Sequence, residues 1–452
     1  MEKLLLKYLL PFVLGYTLIC SACESGDSQS LAVRLNPVLS KANSNIATNP
    51  DSSILLADYV LRISEQSTSL DSFYIESQYI KAQAIREKGF YDKSNLLLKE
   101  LIHYVEPKKD TATLAKLNYK LGTWYYNNNN HALAKDYLEQ SASLYGYLGN
   151  RSIQADALYF IGVSDLNLGN YELSEKKLMQ SYRFYKRNND TYKLGLCYLN
   201  LGNLMHEIKK EDEALQYYLE SIGQFQLSND SNSLANVYVN LGLLQKSKGN
   251  LDSALYYYQI SDNYNINQTN KLAQIINRYN IINIYIRQKN YELATANLNW
   301  CLNECLTRNI ADGIPRIYCS YSTVYLKQND YNKGLLYIDS ALVMADSLQV
   351  RPLKKQFLDV KIELLDSLGR RDEMLALMKR RDALSDSLNT DEVNKKLAAD
   401  KKLKKEREKP LEYSLIKKAS NNPLSKFKLG LVLATFLLVI IGFYFYKRSN
   451  TQ

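Results

Sequence analysis

Proline and glycine are scarce, with 8 and 18 in 452 residues, so a turn-rich chain is excluded and a mostly helical one is expected. Histidine is scarcer. His103, His131 and His206 lie far apart, and no pair has metal-ligand or base–nucleophile spacing. Neither a Walker-type phosphate loop nor a dinucleotide fingerprint occurs, and GxSxG and HExxH are also missing. These absences argue against an enzyme, and no cofactor or metal site is expected. Positive charge is not spread over the chain either. Residues 395–428 hold twelve basic and four acidic residues, so +8 of the net +10 sits there and the rest is close to neutral. A nucleic-acid reading of the charge fails on that distribution.

What the chain does have is a period. Gly122, Gly162, Gly202 and Gly242 are forty residues apart, and the series continues through Ala82, Ile282 and Ser322. Twelve positions later a second series keeps step: Ser94, Ala134, Ser174, Ala214, Ala254, Ala294 and Gly334. Four further on come Leu98, Leu138, Leu178, Tyr218, Tyr258, Leu298 and Ile338. Seven units match without insertion, and an eighth near Ile362, Gly369, Met374 and Met378 matches weakly, so this is a repeat protein.

One unit shows the design. Leu194, Cys197, Leu201, Leu204 and Met205 recur at helical spacing after a candidate N-cap, Asp190, and define helix A. Ala214, Leu215, Tyr218, Leu219 and Ile222 define helix B. The break between them reads Gly89, Asn129, Gly169, Lys209, Gly249, Lys289, Asn329 and Gly369 along the series, and Gly or Asn suits a left-handed helix end. Asp110, Asn150, Asp190, Asp230 and Asn270 stand at the N-cap position.

The Leu201-Gly202 pair, Ala214, the aromatic Tyr218 and the small Ser221 resemble the tetratricopeptide repeat (TPR). The resemblance covers residues 75 to 380 and implies an all-α fold, a right-handed α-solenoid of helix pairs. The family period is 34 residues, so the extra residues are expected at the outer ends of the helices, close to one more turn for each. In this register Gly122, Gly162, Gly202, Gly242, Ala134, Ala214, Ala254 and Ala294 are structural marks that let two helices close on each other. The 37 tyrosines suit faces that are half packed and half wet.

The ends carry different signals. Residues 1–23 read as a secretory signal, with Lys3 and Lys7, an apolar run, and Cys20-Ser21-Ala22-Cys23. Ser21-Ala22-Cys23 resembles a lipoprotein box with Cys23 as the lipidated residue, the alternative being ordinary cleavage or an uncleaved anchor. Residues 24–50 are expected as a linker and 51–74 as an N-terminal cap helix or partial repeat. The TPR-like array spans 75–381, and 382–428 read as a charged helical stalk with a basic juxtamembrane segment. Leu429 to Tyr446 is an uncharged eighteen-residue stretch with an aromatic end, expected to span a membrane, with 447–452 as a short tail. The N-terminal signal places the repeats on the periplasmic side of a bacterial cell membrane. The basic residues before the span argue for the cytoplasm instead, and attraction to anionic lipid explains them otherwise.

The repeat physics supplies a continuous surface lined by helix A. The resemblance places a peptide-binding groove at Tyr79, Tyr119, Tyr159 and Tyr279, with Thr123, Asn203, His206 and Asn283 beside them. The competing reading is packing against neighbouring helices. TPR proteins that clamp an acidic chaperone tail use Lys where this chain has Tyr and Leu, so that activity is not implied. Cys301 and Cys305 lie at i, i+4 and Cys319 on the next helix. A disulfide or metal site is conceivable there, but residue 301 replaces Ser and Ala of other units, which favours burial. The expected partner is a protein or peptide, with the membrane as anchor. The order of segments also resembles the outer half of bacterial membrane regulators, without their cytoplasmic output domain. A scaffold is therefore the first expectation and a sensor acting through a separate output partner the second.

Overall fold

The computed structural model describes residues 28–65, 70–267, 271–348 and 351–388. The signal, Cys23, the stalk beyond residue 388, the expected span 429–446 and the tail lie outside the described residues. Within them all regular structure is helical, and no helix is long and apolar enough to cross a membrane. The chain divides into two compact units, residues 1–188 and 189–452.

Unit 1 contains α1 (Ser28–Ser44), α2 (Pro50–Ser64), α3 (Asp71–Glu87), α4 (Tyr91–Val105), α5 (Thr111–Asn127), α6 (His131–Tyr147), α7 (Arg151–Asn167) and α8 (Tyr171–Arg187). Unit 2 contains α9 (Thr191–Glu207), α10 (Glu211–Leu227), α11 (Ser231–Ser247), α12 (Leu251–Asn267), α13 (Lys271–Arg287), α14 (Tyr291–Thr307), α15 (Ile314–Lys327), α16 (Tyr331–Ser347) and α17 (Arg351–Ser367). A last helix, α18, covers residues 371–388. Within each unit the helices up to α17 pack on their neighbours in sequence.

The period is built from 17-residue helices joined by three-residue connections. Asn129 shows how the connection works. It has φ 56°, while Asn130 N–H bonds Tyr125 O and Asn129 N–H bonds Tyr126 O. This is the double-bonded left-handed end that satisfies orphan carbonyls. Asn130 then turns its side chain round to cap α6, accepting from Leu133 N–H. Left-handed residues recur every twenty positions, because both helix ends of a unit use the device. Lys109, Gly149, Asn189, Asn229 and Asn309 therefore join the series that the forty-residue step shows. Asp110, Asn150, Asp190 and Asp230 accept backbone N–H bonds as N-caps, and Asn270 lies outside the described residues.

The small-residue series marks close helix contact. A Cβ added to Gly122 would stand 2.6 Å from Leu138, and one on Gly162 would stand 2.8 Å from Leu178. Ala134, Ala214, Ala254 and Ala294 are fully buried. Buried serines add a polar clasp, with Ser141 donating to Ala115 O, Ser181 to Ala155 O and Ser221 to Gly195 O at 2.8–3.1 Å.

Two boundaries differ from the sequence expectation. Residues 24–50 are not all linker, because α1 packs its Leu35, Leu39 and Ala42 against Ala57 and Val60 of α2. Ala42 stands forty residues before Ala82, and Ser53 donates to its carbonyl as Ser94 does to that of Ala82. The N-terminal cap is thus a complete helix pair, whose first member was hidden by polar composition and Pro37. At the other end the array does not stop at 381. Arg381 pairs with Asp359 and Lys355 donates to Ser385, which hold α18 on α17 past that point.

Candidate functional site

The outward stripe of each A helix follows from 3.6-residue geometry, since positions i, i+4, i+7 and i+11 share a face. In unit 2 this stripe carries Tyr192, Leu196, Leu199 and Asn203 on α9, and Asn236, Val239 and Leu243 on α11. On α13 it carries Leu272, Ile276, Tyr279 and Asn283. Leu272 and Ile276 are 55% and 58% exposed, and Tyr192 and Leu243 are exposed as well. These apolar side chains, separated by amides, are what an extended segment or an amphipathic helix needs from a surface. Leu243, Leu272 and Ile276 were not among the sequence candidates. Their signal was the register itself, which puts Leu243 in the position of Asn203.

The candidate residues of unit 2 have individual placements. The Oδ1 of Asn203 accepts from Tyr218 Oη and from Asn240 Nδ2, both at 3.0 Å. It therefore locks α9, α10 and α11 together. Burial pushes the Tyr218 hydroxyl pKa up, which keeps that group a donor. Asn283 Nδ2 bonds Tyr279 O in its own helix. Burial raises the pKa of Tyr279, whose hydroxyl meets Ser320 and Gln356. His206 is half-buried with its Nδ1 lacking a protein hydrogen-bond partner.

In unit 1 the corresponding stripe is aromatic and charged. Tyr79 is nearly buried, its pKa is pushed up to about 12 by burial, and Lys116 Nζ lies 4.9 Å over its ring. The pair lines a cleft of about 260 Å³ with Glu76, Asp110, Thr113 and Leu117. Tyr119 and Tyr159 meet edge-on the ring of Phe160, which also receives Tyr126, so Phe160 is the hub of this face. Thr123 donates to Lys120 O of its own helix. Tyr119 and Thr123 are thus engaged within the protein.

The described cysteines and His131 pack within the protein. Cys301, Cys305 and Cys319 are buried free thiols, and burial pushes Cys301 and Cys319 up to about 12 and Cys305 also upward. Such thiols stay protonated and unreactive. His131 stands edge-on to Tyr126, and burial lowers its pKa. Among the described residues no three His, Cys, Asp or Glu side chains gather to hold a metal.

The tetratricopeptide repeat profile matches residues 196–259, from α9 into α12. The chain is a TPR-like α-solenoid. No curated protein sequence matches it. Solved structures do. A Rap protein complexed with competence and sporulation factor is 13% identical, covers 79% of this chain and 99% of its own, and superposes with a TM-score of 0.50. The apo form of RapI is 11% identical, with 75% and 92% covered and a TM-score of 0.56. The apo quorum sensor NprR from B. thuringiensis is 14% identical, with 78% and 99% covered and a TM-score of 0.54. At these identities the likeness of the TPR-like chain to them is one of fold.

Proposed function

We propose that this chain is a binding module for a protein or peptide partner, and that the A-helix stripe of unit 2 is its contact surface. The observation that carries the reading is the exposed set Leu243, Leu272 and Ile276 beside the amides Asn203 and Asn283. Exposed apolar residues rimmed by polar ones mark interaction sites. It acts by binding, not catalysis. Its anchor is the segment 429–446, with a lipid on Cys23 as a second tether, and the repeats face the periplasm.

A photocrosslinker at Ile276 or Leu272, compared with one at Leu336 on a B helix, tests the surface. Capture concentrated at Ile276 and Leu272 supports the reading. Capture only at Leu336 contradicts it.

A sensing role is the second reading. The likeness to a Rap protein solved with competence and sporulation factor, and to the quorum sensor NprR, favours it. Replacing 429–446 with an unrelated apolar helix separates the two: a scaffold keeps working, and a sensor that signals through its span to an output partner does not.

A further inference from the structure

The forty-residue register allows every buried position to be compared with its counterparts, and one seam departs from the others in unit 2. Gln274 stands where Leu194, Leu234 and Ile314 stand, and Asn277 where Cys197, Val237 and Ile317 stand. Arg278 replaces Tyr198, Tyr238 and Tyr318. On α12, Asp262 replaces Ile222 and Leu302, and Asn265 replaces Phe225 and Cys305. The substituted residues remain interior: Gln274 is 0%, Asn277 1%, Asn265 4% and Asp262 8% exposed. Between α12 and α13, polar side chains therefore occupy positions that on α9, α10, α11, α14 and α15 are aliphatic, aromatic or cysteine.

Their hydrogen-bonding capacity is met only in part by the protein. Asn277 Nδ2 donates to Tyr258 O at 2.6 Å, and Lys271 Nζ donates to Gln274 Oε1 at 3.2 Å. Arg278 Nη2 lies 3.2 Å from Asp262 Oδ2, and its guanidinium stacks 3.9 Å over Trp300 of α14. Gln274 Nε2, Arg278 Nε, Asn277 Oδ1 and Asp262 Oδ1 are buried without a protein hydrogen-bond partner. Two donors and two acceptors are left over. Water supplies two of each and brings no charge, so it fits such a set.

We propose that the α12–α13 seam is a hydrated hinge, in which ordered water completes the bonds of Gln274, Asn277, Asp262 and Arg278 and at which unit 2 opens first. A largely buried ion pair such as Arg278–Asp262 often holds helices together no better than the apolar contact it replaces. Opening also lets the polar groups meet bulk water, so separation costs less here than at the α10–α11 seam, where Ile222, Phe225, Leu234 and Val237 hold the same register positions. The partner stripe on α13, with Leu272 and Ile276, would move with this opening.

Hydrogen exchange on the intact chain tests the hinge. Amides of α12 and α13 are expected to exchange at least tenfold faster than those of α10 and α11, and equal or slower exchange overturns the proposal. A register swap, Asp262→Ile with Asn265→Phe, Gln274→Leu, Asn277→Val and Arg278→Tyr, installs the α10–α11 seam and should abolish the difference. A swapped chain that folds and keeps the gap contradicts it. Should the swap not fold, Gln274→Leu alone decides: slower exchange of α12 and α13 is expected, and faster exchange counts against the hinge.

Discussion

Tyr218 donates its hydroxyl hydrogen to Asn203 Oδ1 at 3.0 Å, while its ring lies so close on Gly202 that an added Cβ would stand 2.6 Å from it. One side chain thus reads a position that must be small and a position that varies between units. The glycine decides how near α9 and α10 approach, and the asparagine decides what the phenol is tied to.

Gly202→Leu is expected to force that joint apart. Overpacking a filled contact costs about 1–3 kcal/mol, and the Tyr218 ring is itself fully buried. The denaturation midpoint should fall and protease resistance should drop, with Ala214→Leu behaving alike. Unchanged resistance would remove the packing role of the small series.

Leu243 takes the register position of Asn203, and Tyr258 Oη is buried with no protein hydrogen-bond partner. Leu243→Asn is therefore expected to provide one, with a gain of about 1 kcal/mol, while Tyr218→Phe should lose a similar amount. A lower melting temperature for Leu243→Asn would mean that α11 does not repeat the α9 geometry.

Lys209 and Lys289 hold φ at 64° and 61°, where other units use Gly or Asn. Left-handed backbone costs a side chain roughly 1–2 kcal/mol. Lys209→Gly should accordingly raise stability by about 1 kcal/mol in urea titration, after allowance for glycine entropy. A destabilised variant would place the strain elsewhere.

Much of this was legible in the sequence, and the limits were physical. Glycine and alanine columns report helix approach, so the pairing of helices followed from Gly202 and Ala214 directly. The cap series was half read, because Lys109 and Asn189 fall between the forty-residue marks. Helix α1 is hidden in the sequence because Ser28 to Ser44 is rich in Ser, Asn and other polar residues and carries a central proline, Pro37. Site residues were harder. Asn203 looks the same in sequence whether its amide meets a peptide or Tyr218, and only the neighbouring helices decide. Gln274 and Asn277 were visible in the register, yet a polar residue in a helix reads as exposed until its burial is known.

The contribution of Asp262 to the pH dependence of unit 2 should carry a sign opposite to that of an ordinary acidic pair. Burial raises the Asp262 pKa above 3.8, against the lowering effects of Arg278, Lys271 and Asn277. The folded state then binds the proton more tightly than the unfolded one. Its contribution is present below pH 3.8 and lost as pH rises through the folded value. Asp262→Asn should flatten that segment of a stability–pH curve. A wild-type curve that rises with pH through this window because of Asp262 would contradict the assignment.

The role proposed for the A-helix stripe of unit 2 is peptide binding. A random peptide library displayed on phage and selected on the purified full chain tests it directly, with Ile276→Arg and Leu336→Arg as paired variants of residues 58% and 67% exposed. Enriched peptides are expected to lose at least tenfold affinity on Ile276→Arg and little on Leu336→Arg. No enrichment, or equal loss on both variants, would contradict the account.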